Sequence, residues 1–113
     1  MKRFCLALDL VDDEGLIADY EKYHQEVWPE VKKSITDSGI VEMDIYRIMN
    51  RLFMIIDVTD QFDFAERAAA DAANPKVVEW EELMWRYQLA LPGSRPGQKW
   101  LVMDRIFSLT GKK

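Results

Sequence analysis

Ile40-Val-Glu-Met-Asp-Ile-Tyr-Arg-Ile-Met-Asn-Arg-Leu-Phe-Met-Ile-Ile-Asp-Val-Thr59 is the stretch on which the fold turns. From Ile40 to Met49, Val41, Met43 and Ile45 alternate with Glu42 and Asp44, the period of a strand with one covered face. Leu52 to Thr59 is rich in Ile, Phe and Val, a strand apolar on both faces. Asn50-Arg51 separates the two runs and predicts the tight turn of a β-hairpin.

Moving outward, helices flank the hairpin on both sides. Before it, Leu16, Tyr20, Tyr23, Val27, Val31 and Ile35 recur at spacings of three and four, which predicts helix from about Asp13 to Ser38. Acids at Asp12, Asp13 and Glu14 favour its amino terminus, and Gly39 stops it. Pro29 disfavours helical geometry at Trp28, so a kink is expected there, or two helices with Pro29 starting the second. After the hairpin, Asp60 can cap a helix running to Ala73. Asn74-Pro75 opens another, with the stripe Val77, Trp80, Leu83, Met84 and Tyr87. Strands are expected at both ends of the chain, Arg3 to Val11 and Trp100 to Leu109, the latter after a loop from Pro92 to Gly97.

The order β-α-β-β-α-(α)-β is that of a ferredoxin-like α+β fold, an antiparallel sheet with helices on one face. Yet Phe4, Leu6, Leu8 and Leu10 oppose Cys5 and Ala7, and Phe53 and Ile55 oppose Leu52, Met54 and Ile56. The second face therefore needs a cover, and a second copy of the chain would supply it as a homodimer, a dimeric α/β barrel.

Composition narrows the function. A chain of 113 residues, 49% of them hydrophobic, fits a single domain spanning 1–113 with a real core. One Cys rules out an internal disulfide, and one Cys with one His rules out zinc sites built from several such ligands, so no metal is expected. A net charge of −5 without a basic run disfavours nucleic acid. No apolar run reaches the roughly 20 residues of a membrane helix, and Asp9 interrupts the short run at the amino terminus, so a cytoplasmic location is expected.

Tyr20 and His24 share one helical face within the apolar stripe. Spacing alone is met by a core histidine bonded to Tyr20 or a carbonyl; the sharper reading is a general acid or base in a pocket. Trp80 sits on its own stripe and is a packing residue by default, although Trp rings also stack on sugars. Asp9 is an acid within an apolar strand, either paired with Arg47 or Arg105 or contributing to a site. Asp44 reads as a solvated strand residue, Glu79, Glu81 and Glu82 as a solvated helix face, and Cys5 as a small core residue.

Tyr20-Glu-Lys-Tyr-His24-Gln-Glu-Val-Trp28-Pro29-Glu30-Val31 resembles the signature of the L-rhamnose mutarotase family, roughly Y-x3-H-x3-W-P-E-[LV]. Ile45-Tyr46 leading into Leu52-Phe53 resembles the family's hairpin. Trp80 resembles the first of a pair of Trp, and Trp100, Met103, Phe107 and Leu109 its last strand. The resemblance implies a dimeric α/β barrel and a cofactor-free aldose 1-epimerase acting on a 6-deoxy-L-hexose, with His24 as acid/base and Tyr20 as a substrate contact. Two positions depart from the pattern, Glu81 for the second Trp and Met43 for a Tyr on the second strand, both where the sugar would sit. Trp80-Glu81-x2-Met84-Trp85-Arg86 with Pro92-Gly93 looks more like the branch assigned to L-fucose, so L-fucose is favoured over L-rhamnose. The candidate site is therefore His24 with Tyr20, Trp80, Met43, Glu81 and Asp9.

Exchange of anomers needs a proton to leave the anomeric hydroxyl and one to reach the ring oxygen, work suited to a histidine tuned near neutrality. Two competing expectations share the barrel: a cofactor-free monooxygenase or haem-handling protein, and a non-catalytic sugar-binding dimer.

Overall fold

The computed structural model describes residues 1–111; Lys112 and Lys113 of the expected 1–113 unit lie outside them. The elements are β1 (Lys2–Leu10), α1 (Glu14–Gln25), α2 (Pro29–Asp37), β2 (Ile40–Ile48), β3 (Arg51–Val58), α3 (Phe64–Ala72), α4 (Pro75–Trp85), β4 (Gln88–Leu89) and β5 (Leu101–Val102). The antiparallel sheet runs β2-β3-β1-β4, with β5 also on β1, the ferredoxin-like α+β order.

Pro29 divides the long helical stretch. Asp13 caps α1 by accepting from the Leu16 N–H at 3.0 Å. Trp28 is extended, and Pro29 starts α2 where a missing N–H costs nothing. Gly39 ends α2 at φ +99°, where a Cβ would come within 2.8 Å of Thr59 Oγ1, so a side chain is excluded on both counts.

The hairpin forms with its turn one residue earlier than expected. Ile48 pairs with Arg51, so Met49 and Asn50 make the loop and Arg51 opens β3. Met49 takes the positive φ, 52°, that such a short connection demands. The cap of α3 is Asp63 rather than Asp60: its carboxylate accepts from the Ala65 and Glu66 N–H groups. Asp60 is left in a turn closed by the Phe62 N–H on the Thr59 carbonyl. Phe62 and Phe64, either side of the cap, pack on Phe4, which fixes where the helix begins.

The carboxy-terminal strand departs most from expectation. Trp100 to Leu109 contributes only β5, opposite Leu6 and Ala7. Gln88–Leu89, which sequence pattern assigns to no strand, pairs with Leu10 and Asp9 on the same edge of β1. Beyond β5, Ile106, Phe107 and Leu109 are 96%, 73% and 87% exposed, without cover in a single protomer.

All four helices pack on one face of the sheet. Leu10 and Leu52 meet Tyr20, Val31, Trp80 and Met84 in one core. Leu6, Met54, Ile56 and Val58 meet Ile40 and the Phe62–Phe64 pair in a second. Each fully buried Leu or Ile contributes about 1.5–3 kcal/mol. The other face alternates with this one and shows Cys5, Ala7, Phe53, Ile55 and Tyr46, bracketed by the Arg3–Asp57 and Arg51–Asp9 ion pairs.

Candidate active site

The last turns of α1 deliver Tyr20 and His24 to the space between helices and sheet. Their rings lie 4.4 Å apart and tilted. His24 also meets the Trp80 ring at 5.7 Å, and Trp80 stands edge-on to Trp28 at 5.1 Å. Trp28 is held there because Pro29 forces an extended link and the Trp28 carbonyl accepts from Val31 and Lys32. The Trp-Pro sequence thus backs the Trp80 ring that His24 meets.

His24 Nδ1 lies 2.9 Å from the Tyr20 carbonyl oxygen. A carbonyl can only accept, so Nδ1 carries the proton and the neutral ring keeps its lone pair on Nε2. Burial lowers the His24 pKa, and the carbonyl bond offsets this only in part. The ring is a neutral base at pH 7. Tyr20 is pushed up to about 12, chiefly by burial, with the bond from Gln88 opposing and Glu81 reinforcing the rise. It stays a phenol. Gln88 Nε2 donates to Tyr20 Oη at 3.3 Å, leaving the Tyr20 O–H to donate elsewhere.

A cavity of about 140 Å³ opens against these groups. Tyr20, His24, Met43, Trp80 and Glu81 all line it, which brings five of the six sequence candidates together. Trp80 is 6% exposed, so it packs the core and walls the cavity at once. Glu81 lines the cavity while its side chain stays 45% exposed, in keeping with a partly solvated helix face. Lys99 Nζ donates to both its carboxylate and its carbonyl, and covers the Trp85 ring at 4.8 Å.

Asp9 is not brought to this cavity. Strand alternation turns it to the opposite face from Leu8 and Leu10, where Arg51 holds it through two bonds of 2.8 and 3.1 Å. Arg51 is its antiparallel partner across β1 and β3, a register that sequence alone did not give; the expected partners Arg47 and Arg105 are not used, and Arg47 binds Glu21 instead. Sequence reasoning also missed Gln88, Ser34, Arg67, Asp71 and Trp100, which line the same cavity. A signal existed for Arg67, the lone base in the alanine-rich α3.

An imidazole and a phenol among Trp and Met side chains, under the helices of a ferredoxin-like sheet, make a cavity whose groups are able to exchange protons with a small ligand. The family model described as L-rhamnose mutarotase matches residues 3–109, and the chain belongs to that family of sugar-anomer isomerases. It is 51% identical to the L-fucose mutarotase of Xanthomonas campestris pv. campestris, over 97% of this chain and 90% of that protein. In structure it is similar to L-rhamnose mutarotase FA22100 from Formosa agariphila, with TM-score 0.71 and 22% identity, covering 96% of this chain and 99% of that one. A dimeric ferredoxin-like protein from an uncultured marine organism shares the fold at TM-score 0.56 and 14% identity, over 94% and 91% of the two chains.

Proposed function

We propose that this protein is an aldose 1-epimerase that interconverts the anomers of a 6-deoxy-L-hexose, L-fucose in preference to L-rhamnose. One observation carries the mechanism: Nδ1 of His24 is committed to the Tyr20 carbonyl, which makes Nε2 the basic nitrogen in a ring that lines the cavity. The choice of sugar is supported by the 51% identity to a protein named L-fucose mutarotase.

His24 Nε2 takes the proton of the anomeric hydroxyl. The O–H bonding pair becomes the new C=O π bond, the pair of the bond between C1 and the ring oxygen moves to that oxygen, and a proton arrives there. The two oxygens share C1, so one imidazole can return to the ring oxygen the proton it has taken. The Tyr20 O–H supports the developing negative charge by hydrogen bonding. Rotation about C1–C2 and closure in reverse give the other anomer. Only protons move, so the reaction asks for no hydride carrier. Trp80 and Met43 hold the apolar face of the sugar, and Glu81, anchored by Lys99, accepts from one of its hydroxyls.

The working unit is a homodimer. Apolar side chains on the outer sheet face and the exposed Ile106, Phe107 and Leu109 form the surface a second copy covers. A lone, partly buried Cys5 thiol suits the reducing cytoplasm. Saturation-transfer NMR on L-fucose and L-rhamnose with and without protein tests the activity. Accelerated exchange for L-fucose is expected; sugar binding, read by Trp fluorescence, without acceleration would leave a sugar-binding dimer.

A further inference from the structure

Among the described residues, three buried side-chain atoms lack any hydrogen-bond partner: Arg67 Nε, Gln88 Oε1 and Ser94 Oγ. Folded proteins satisfy nearly all such groups, so each unpartnered one has bonding capacity left for a water or a ligand. Arg67 and Gln88 line the same cavity.

They stand at different ends of it. Gln88 pairs with Leu10 and reaches Tyr20, so it belongs to the end that holds His24. Arg67 lies on α3, whose first residue, Phe64, packs on Phe4 at the other end of β1. Leu6, which also lines the cavity, precedes Leu10 by four residues, roughly 13 Å along an extended strand. At the α3 end Arg67 is not alone. Asp71 Oδ2 lies 3.5 Å from Arg67 Nε, and Ser34 Oγ donates to Asp71 Oδ1 at 2.9 Å, which fixes the carboxylate from α2.

We infer that Arg67 and Asp71 form a second polar anchor of the sugar cavity, holding the hydroxyls at C3 and C4, and that this anchor selects the configuration at C4. The inference rests on the mutarotase reading, which puts C1 and the ring oxygen at His24. A pyranose then presents its C3–C4 edge away from His24. Arg67 supplies a donor and Asp71 an acceptor at fixed positions beside each other, so the pair reads the direction in which the C4 oxygen projects next to the C3 hydroxyl. L-fucose carries an axial C4 hydroxyl. L-rhamnose and 6-deoxy-L-glucose carry an equatorial one, which points away from the same donor and acceptor. The cluster thus gives a physical reason for discrimination between L-fucose and its C4 epimer 6-deoxy-L-glucose, which are identical at the His24 end.

The test measures kcat and KM for anomer exchange of L-fucose and of 6-deoxy-L-glucose, which differ only at C4, in wild type, Arg67→Met and Asp71→Asn. Each substitution is expected to raise KM for L-fucose about tenfold, the loss of one desolvated charge-assisted hydrogen bond. It should leave kcat within about twofold and erode the L-fucose preference by a similar factor. Variants with unchanged KM and unchanged preference would overturn the anchor while leaving the mutarotase reading intact. Absence of exchange by wild type for every sugar would instead overturn that reading. A comparison on wild type alone covers the case of misfolded variants. There, 4-deoxy-L-fucose should show a KM about tenfold above L-fucose, and equal values would overturn the anchor.

Discussion

His24 Nδ1 stands 2.9 Å from the carbonyl oxygen of Tyr20, one helical turn earlier in α1. This contact fixes the tautomer and the ring orientation together. The bland expectation for His24, a bond to a carbonyl, is met, and it is compatible with the proposed catalytic role, because the bond that occupies Nδ1 leaves the lone pair on Nε2.

The first prediction concerns pH. Burial lowers the His24 pKa, so kcat/KM should fall on the acid side with a midpoint below the ordinary 6.5. Stability follows the same group. The unfolded imidazole takes up a proton near 6.5 while the folded one resists. The contribution is thus present above pH 6.5 and is lost as pH falls through the lower folded value. Urea midpoints across this window should drop more for wild type than for His24→Asn. An acid limb centred above 6.5 would contradict the assignment.

Tyr20→Phe keeps the ring and removes the hydroxyl. Gln88 Nε2 then loses its acceptor in a buried site, a loss of about 1 kcal/mol at this long distance. Turnover should fall about tenfold with the Tyr20 hydrogen bond gone. Calorimetry and anomer-exchange rates on one preparation check both effects.

Asp9→Asn is expected to lower thermal stability, because the bidentate bond to Arg51 loses its charge. KM for L-fucose should stay within about twofold of wild type, since the two side chains lie on the far face of the sheet. A large rise in KM would bring Asp9 back into the site.

Phe53→Asp places a charge in the middle of the outer sheet face. Sedimentation should report twice the chain mass for wild type and a shift toward single chains for the variant. Wild type sedimenting as a single chain would remove the dimer.

Much of this was legible in the sequence because two periods dominate it. The stripe through Tyr20 and His24 and the alternation from Met43 to Ile45 each assign a face, and the faces assign the cavity. What stayed illegible depends on register and partners. Asp9 could be seen as an acid in a strand, but only the pairing of β1 with β3 names Arg51. Trp100 to Leu109 is expected as a strand with no indication of what it would pair with, and a single chain pairs only Leu101 and Val102. Asp60 reads as the cap of the helix after the hairpin, but the packing of Phe62 and Phe64 on Phe4 starts α3 three residues later, with Asp63 as its cap. Arg67 and Asp71 come together with Ser34 only when α3 docks on α2, which no local pattern contains.

The most direct test is saturation-transfer NMR of L-fucose anomer exchange with wild type and with folded His24→Ala. Wild type should accelerate exchange, and the variant should lose roughly 10²-fold or more of that acceleration, the usual weight of a general acid/base. Equal acceleration by both proteins would contradict the role of His24, and no acceleration by wild type would contradict the mutarotase itself.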